Sequence, residues 1–215
     1  MKKKKIKKVL SYIAKPILRL MNRNKILTLI LFIAFLVRIL GLFPNFINHP
    51  DEGWVQTYSG KLFYNIIAKG DFNPYTYKYG SFIFYLGTIP YFPIISASYL
   101  MEGIQGVILP FSTTHSMPSF IEYVTKIGYN QHQTLIFWSQ RALVALLGIV
   151  SVAILYLIAK KLFNKPIALL AAFSLAVFPF HVRDSHYITT DVPATFFILL
   201  ALLFMVNLSK SGKLK

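Results

Sequence analysis

The chain has 215 residues, of which 55% are hydrophobic and 14% are charged, and its mean hydropathy is +0.55. This composition excludes a disordered chain and disfavours an ordinary water-soluble domain. The absence of cysteine excludes disulfide bonds, thiolate metal sites and a cysteine nucleophile. The formal net charge is +16, but ten of the 23 basic residues lie between Lys2 and Lys25. Such clusters beside apolar segments are typical of cytoplasmic loops and disfavour a nucleic-acid partner.

Apolar runs long enough to cross a bilayer recur along the chain, and a spanning helix needs about 20 such residues. We therefore predict an all-α polytopic membrane protein with about four spans. The predicted spans cover residues 26–43, 134–158, 167–182 and 192–208. In residues 1–25, apolar residues at helical spacing alternate with lysines, which predicts a basic amphipathic segment on the cytoplasmic leaflet. Residues 209–215 form the predicted basic cytoplasmic tail.

The segment 82–100 is apolar enough to cross the membrane but contains Pro90 and Pro93. If it crossed, the lysine cluster at 160–165 would lie outside, against the positive-inside rule. We therefore predict an outer-face or re-entrant helix within a first outer loop at 44–133. The result is a multi-pass protein of the cell membrane with both termini in the cytoplasm.

Polar residues are concentrated in two regions that this topology places outside, 48–79 and 181–191. In the first, His49-Pro50-Asp51-Glu52 precedes an interfacial helix predicted over 54–67. The two carboxylates have two interpretations. They are suited to the cap and first turn of a helix, and equally to a general base held near the bilayer.

The polar motifs also have an order: His49-Pro50-Asp51-Glu52, then Gly70-Asp71-Phe72-Asn73-Pro74, Lys78-Tyr79-Gly80-Ser81, Arg141-Ala142-Leu143, and finally the stretch 183–193. This ordered set resembles the N-terminal part of the GT-C membrane glycosyltransferases, specifically the protein O-mannosyltransferase and lipid A aminoarabinose transferase group. The resemblance extends over about 26–208. It implies that the chain corresponds to the N-terminal part of a longer type of enzyme.

The resemblance implies transfer of a sugar, with inversion, from a polyprenyl-phosphate donor to a lipid, glycan or protein acceptor on the non-cytoplasmic face. It implies that Asp51, beside Glu52, is the base and that Asp191 supports the site. Such chemistry also needs a cation at the leaving phosphate. The candidate substrate-binding residues are Lys78, Tyr79, Arg183, His186 and Arg38.

Other interpretations stay open at this level. Arg38 and Arg141 lie in predicted spans, where an ionisable residue either snorkels to the interface or serves the function. For a divalent metal, the alternatives are His49 with Asp51, or His181 with Asp184 and His186, and neither has a strong ligand spacing. The alternative to an enzyme is a non-enzymatic membrane protein, such as a transporter fragment or an assembly subunit.

Overall fold

The computed structural model describes residues 24–42, 49–77, 80–108, 120–123 and 133–211. These residues form nine helices and no strand. The helices are α1 (Lys25–Ile39), α2 (Pro50–Lys69), α3 (Phe82–Thr88), α4 (Tyr91–Ile108), α5 (Phe120–Tyr123), α6 (Gln133–Leu162), α7 (Lys165–Val177), α8 (Pro179–Asp184) and α9 (Asp191–Ser211). The predicted all-α membrane fold is confirmed. Most of the predicted amphipathic N-terminal segment and the end of the basic tail lie outside the described residues.

Three helical segments of the described chain are long and apolar enough to cross a membrane: Phe82–Met101, Gln133–Leu162 and Asp191–Ser209. The last two correspond to predicted spans. The first is the segment that the charge pattern placed on the outer face, and it is interrupted by a turn at Ile89 and Pro90. Its hydropathy of 1.3 is the lowest of the three. Its length and composition therefore permit a crossing, which the charge pattern disfavours.

The span predicted over 167–182 is not one continuous helix. α7 ends at Val177, Phe178 has extended backbone angles (φ −61°, ψ 115°), and α8 begins at Pro179. The physical reason is Pro179, because a proline disfavours helical geometry in the residue before it and suits the first position of a new helix. α7 is therefore only 13 residues long, about 20 Å at the helical rise.

The chain divides into two compact units. The first comprises Met1–Leu40, Ala145–Ser185 and Asp191–Lys215. Within it α1 packs on α7, and Ala168, Ala172 and Ala176 form a fully buried row on α7. Residues four apart lie on one helical face, so this alanine row lets the two backbones approach closely. At the start of α1, the N-cap residue Asn24 donates from Nδ2 to Tyr156 Oη of α6 over 3.2 Å.

The second unit comprises Gly41–Val144 and His186–Thr190. Its α2 and α3 pack tightly, since a Cβ on Gly87 would overlap the Ser59 hydroxyl. Thr88 Oγ1 donates to the Ser59 carbonyl over 3.1 Å, and Gln140 Nε2 of α6 donates to the Gly87 carbonyl over 2.8 Å. An aromatic and aliphatic core supports the arrangement, formed by Phe63, Tyr91, Ile95, Tyr123 and Ile136. These contacts hold the N-terminal half of α2 in place.

Candidate functional site

The candidate site begins at the N-terminus of α2, where the cap is His49. His49 has extended backbone angles, and its Nδ1 accepts the Asp51 N–H over 3.2 Å. Because Nδ1 accepts, the ring hydrogen of the neutral form is on Nε2. Pro50 occupies the first helical position, which suits its fixed φ and missing N–H. The capping role considered for Asp51 is therefore taken by His49, and Asp51 belongs to the first turn.

The adjacent carboxylates Asp51 and Glu52 lie in opposite environments. The Asp51 side chain is 35% exposed, and its Oδ2 lies 3.8 Å from His49 Nδ1. The Glu52 side chain is fully buried. Neighbouring residues on a helix project about 100° apart, so one carboxylate faces the interior of the unit and the other reaches its surface.

Glu52 is held by a bidentate ion pair with Arg141 of α6. Arg141 Nε donates to Oε1 over 2.8 Å, and Nη2 donates to Oε2 over 2.7 Å. Glu52 Oε1 also accepts the N–H of Ile188 over 3.2 Å. The guanidinium lies 4.1 Å from the centroid of the Phe137 ring. Arg141 therefore does not snorkel, and instead it joins α6, α2 and the 186–190 segment through one carboxylate.

Arg38 is the centre of another buried hydrogen-bonded cluster, which lies in the first unit. Its Nε donates to Ser185 Oγ over 3.2 Å, and its Nη2 donates to His181 Nδ1 over 2.8 Å. The remaining N–H groups donate to backbone carbonyls, those of Ala34, Leu175 and Ala176. A guanidinium has five N–H donors. In this structure each has a protein acceptor, so Arg38 joins α1 to the ends of α7 and α8 and does not snorkel.

The other predicted site residues are placed as follows. Arg183 is exposed at the end of α8, and its Nε donates to Asp184 Oδ1 over 2.8 Å. Asp191 is exposed in the first turn of α9 and belongs to the first unit. His186 is half-buried in the 186–190 segment of the second unit. Lys78 and Tyr79 lie outside the described residues.

Asp71 organises the loop that follows α2. Its Oδ1 accepts the Asn73 N–H over 2.9 Å, and its Oδ2 accepts the Tyr75 hydroxyl over 2.6 Å. Hydrogen bonds to the ionised form, first that from Tyr75, lower the pKa of Asp71 below its ordinary value. Tyr75 has a positive φ of 54°, which these bonds help to maintain. The loop therefore has a defined conformation in front of α3.

The described residues contain no group of three or more His, Asp or Glu side chains arranged to hold a metal ion. His181 Nδ1 accepts a hydrogen bond from Arg38, which leaves that nitrogen unavailable to a cation. Neither proposed metal set is therefore assembled in the part of the chain that the structure describes.

Comparison with known families bears on this geometry. Residues 116–215 match the family described as dolichyl-phosphate-mannose-protein mannosyltransferase. The match supports a GT-C membrane glycosyltransferase. The resemblance stated from the sequence motifs is thereby confirmed. The matched part of the chain contains Arg141, Arg183 and Asp191, whereas Asp51 and Glu52 precede it. Comparisons with curated proteins and with solved structures gave no match.

Sequence reasoning missed the pairing of Glu52 with Arg141. The available signal was an arginine near the outer end of a predicted span, which cannot remain buried without an acceptor. It also predicted residues 54–67 as an interfacial helix, without a groove beside it. In the structure Trp54 and Tyr58 line an open groove of about 490 Å³ together with Thr57 and Lys61.

Proposed function

We propose that the protein transfers a sugar from a polyprenyl-phosphate-linked donor to an acceptor on the non-cytoplasmic face, with inversion at the anomeric carbon, and that Asp51 is the general base. The observation that carries this proposal is the contrast between the tandem carboxylates. Glu52 is buried and bonded to Arg141, whereas Asp51 beside it is partly exposed at the end of a rigidly packed helix.

In this mechanism the acceptor hydroxyl attacks the anomeric carbon of the donor. The bond from that carbon to the phosphate oxygen breaks, and its electron pair stays with the polyprenyl phosphate. Asp51 takes the proton of the acceptor hydroxyl, so one positioned carboxylate is enough for a single inverting displacement. We keep Asp191, in the first turn of α9, as a supporting residue of the transfer reaction.

Glu52 acts as a positioning residue in this proposal. Both of its oxygens accept hydrogen bonds from Arg141, and one also accepts the Ile188 N–H. These bonds fix the first turn of α2 and, with it, the direction of Asp51. Arg38 has a comparable supporting role in the first unit, where it positions the ends of α7 and α8.

Negative charge grows on the phosphate as the donor bond breaks, and a cation must stabilise it. Arg183 and Lys78 are the candidates. The Arg183 side chain is 57% exposed, its Nε donates to Asp184 Oδ1, and its guanidinium lies 5.1 Å from the centroid of the Phe180 ring. Tyr79 and His186 complete the proposed substrate contacts.

The family description supports the donor class, since dolichyl phosphate mannose is a polyprenyl-phosphate sugar. It also suits a protein acceptor, although lipid and glycan acceptors fit the same chemistry. The alternative of a transporter is disfavoured because, in the described segments of spanning length, the exposed charged residues Lys160, Lys161 and Asp191 lie at the ends, whereas transporters place theirs near the bilayer midplane.

The test uses right-side-out and inside-out vesicles prepared from cells that express the protein. Each is given a short-chain polyprenyl-phosphate mannose that cannot cross the membrane, and the release of the lipid phosphate is measured. We expect protein-dependent release only in right-side-out vesicles. Release only in inside-out vesicles, or sugar transfer from a nucleotide sugar with an unchanged lipid donor, would overturn the proposal. Vesicles from cells without the protein are the control.

A further inference from the structure

A groove of about 320 Å³ lies between α1 and α6, within the first unit. The residues of its walls include Thr28, Phe32 and Phe35 of α1 and Ile149, Val150 and Ala153 of α6. Of these six residues only Thr28 has a polar side chain, and its hydroxyl donates to the Asn24 carbonyl over 3.2 Å. The groove is therefore suited to a hydrocarbon ligand.

The α1 wall of the groove is open to the surroundings of the protein. Phe32 is 55% exposed and Phe35 is 46% exposed. The sequence predicts that α1 and this part of α6 lie in the membrane, so the groove opens to the bilayer. A partner helix packs closely where small residues let the two backbones approach, and two exposed phenylalanines prevent that approach. A flexible acyl chain can follow the groove beside them.

Two lysines continue the walls of the groove at one end. Lys25 is three positions before Thr28, and Lys160 is seven positions after Ala153. Residues three, four or seven apart lie on the same helical face, so each lysine extends its own wall. The offsets along the helix axes are about 4.5 Å for Lys25 and about 10.5 Å for Lys160. Both lysines are exposed.

Contacts between the two helices place both lysines at the same end of the unit. Asn24, the residue before Lys25, donates from Nδ2 to Tyr156 Oη over 3.2 Å. Lys160 Nζ lies 5.8 Å from the centroid of the same Tyr156 ring. The start of α1 therefore meets the end of α6, and the apolar groove has a cationic end.

The charge at this end is not balanced by the helices that form it. Neither α1 nor α6 contains an acidic residue, and neither does α7, which packs on α1. The lysine clusters predict that this end is cytoplasmic. Anionic phospholipids of the cytoplasmic leaflet attract lysines close to the membrane surface. An apolar groove that ends at two lysines matches a lipid with an acyl chain and an anionic headgroup.

We propose that the groove between α1 and α6 binds an anionic phospholipid of the cytoplasmic leaflet. One acyl chain lies along Phe32 and Phe35, and the headgroup phosphate lies at Lys25 and Lys160. This lipid is not the sugar donor of the proposed function, because the phosphate of that donor must react at the opposite, non-cytoplasmic face. The lipid site is therefore separate from the transfer site and does not depend on the transfer reaction.

A tryptophan in the groove can report contact with the lipid through its fluorescence. The native tryptophans are replaced by Trp54→Phe and Trp138→Phe, and Phe32→Trp introduces a single reporter. The protein is reconstituted into phosphatidylcholine vesicles. Increasing mole fractions of phosphatidylglycerol or phosphatidylcholine, each brominated in its acyl chains, then quench the reporter on contact. We expect brominated phosphatidylglycerol to quench at lower mole fractions than brominated phosphatidylcholine.

The matched control is Phe173→Trp in the same tryptophan-free background. Phe173 is exposed on α7, outside the residues that line this groove. It lies about 12 Å along the helix from the lysine at the start of α7, close to the distance of about 10.5 Å between Lys25 and Phe32. We expect a smaller preference for phosphatidylglycerol at this position. An equal preference at both positions indicates an ordinary lipid shell and would overturn the site, as would no preference at Phe32→Trp.

Circular dichroism must first show that each reporter variant is folded. If Phe32→Trp does not fold, Phe35→Trp places the reporter in the same wall of the groove. The same preference for phosphatidylglycerol is expected there, and its absence would overturn the site.

Lysine variants test the contact with the headgroup. Lys25→Gln and Lys160→Gln should each lower the preference for phosphatidylglycerol about fivefold at the groove reporter, the factor expected for one lysine near an anionic surface. Lys69→Gln, an exposed position on α2, is the control and should leave the preference unchanged. An unchanged preference in both groove variants, or an equal loss in Lys69→Gln, would overturn the headgroup contact.

A competition experiment separates this lipid from the donor. Unbrominated phosphatidylglycerol or polyprenyl phosphate is added to vesicles in which brominated phosphatidylglycerol already quenches the reporter. We expect phosphatidylglycerol to restore the fluorescence at the lower mole fraction. Stronger recovery with polyprenyl phosphate would assign the groove to the donor lipid and overturn the proposal. Lipid selectivity without sugar transfer would support the lipid site and contradict the proposed function.

Discussion

Arg141 and Glu52 lie 89 positions apart in the sequence and form a bidentate ion pair in which both side chains are fully buried. Removing two charges from water costs several kcal/mol per ion, and close geometry with additional hydrogen bonds offsets that cost. Here the geometry is close, and Ile188 contributes a further N–H. The pair therefore fixes the position of α2 more than it adds to net stability.

Removing only one partner of this pair should be strongly destabilising. Arg141→Ala leaves Glu52 buried with an uncompensated charge, for which we expect a loss of about 3–5 kcal/mol in the free energy of unfolding. The double variant Glu52→Leu/Arg141→Met removes both charges and should lose less. Unfolding in detergent, followed by circular dichroism, measures both. Arg183→Ala is the control, since its exposed pair with Asp184 should contribute at most about 1 kcal/mol.

Arg38→Lys should also destabilise the protein, although the charge is retained. Lysine has three donors, whereas Arg38 donates to five acceptors, one in α1 and four around the ends of α7 and α8. Each buried group left without a partner costs about 1–3 kcal/mol. We expect a clear fall in the thermal midpoint in detergent. Arg183→Lys on the surface should leave the midpoint unchanged, and an equal fall in both variants would contradict this role of Arg38.

The loop at Asp71 gives a prediction about pH. The hydrogen bond from Tyr75 is the first cause of the lowered pKa of Asp71, so Tyr75→Phe should raise that pKa toward its ordinary value. A carboxyl whose pKa is lower in the folded than in the unfolded state stabilises the fold above its unfolded pKa. That contribution is lost as the pH falls through the folded pKa. Titration of Asp71 by carbon-13 NMR in both proteins measures the shift, and identical curves would contradict the assignment.

Parts of this arrangement were predictable from sequence. The helical class, a helix after Asp51 and the helix at 133–162 follow from apolar periodicity and run length. The Glu52–Arg141 pair was not predictable, because no local pattern reports a contact between residues 89 positions apart. Three of the five acceptors of Arg38 are backbone carbonyls. Every residue has a backbone carbonyl, so the residue types do not indicate which ones Arg38 contacts. Pro179 was a sequence signal for the break at Phe178. The apolar residues on both sides of Pro179 nevertheless predicted one continuous span.

Topology gives a prediction that uses the cysteine-free chain. Single cysteines at the exposed positions Lys69 and Arg183 should react with an impermeant maleimide in intact cells, whereas those at Lys165 and Ser209 should not. A single cysteine at Met101 tests whether the segment Phe82–Met101 crosses the membrane. We expect labelling at Met101 together with Lys69. Labelling at Lys69 and Lys165 but not at Met101 would mean that Phe82–Met101 crosses the membrane.

In the proposed mechanism the Asp51 carboxylate takes the proton of the acceptor hydroxyl. Since His49 caps α2 through its ring, Asp51→Asn removes the charge and basicity with little effect on the helix. The measurement is the rate of sugar transfer from a polyprenyl-phosphate donor by the Asp51→Asn protein, with its thermal midpoint measured in parallel. We predict a rate lowered about 10²- to 10⁴-fold, as for loss of a positioned base, with the midpoint unchanged. Near-normal transfer by the Asp51→Asn protein would contradict the account.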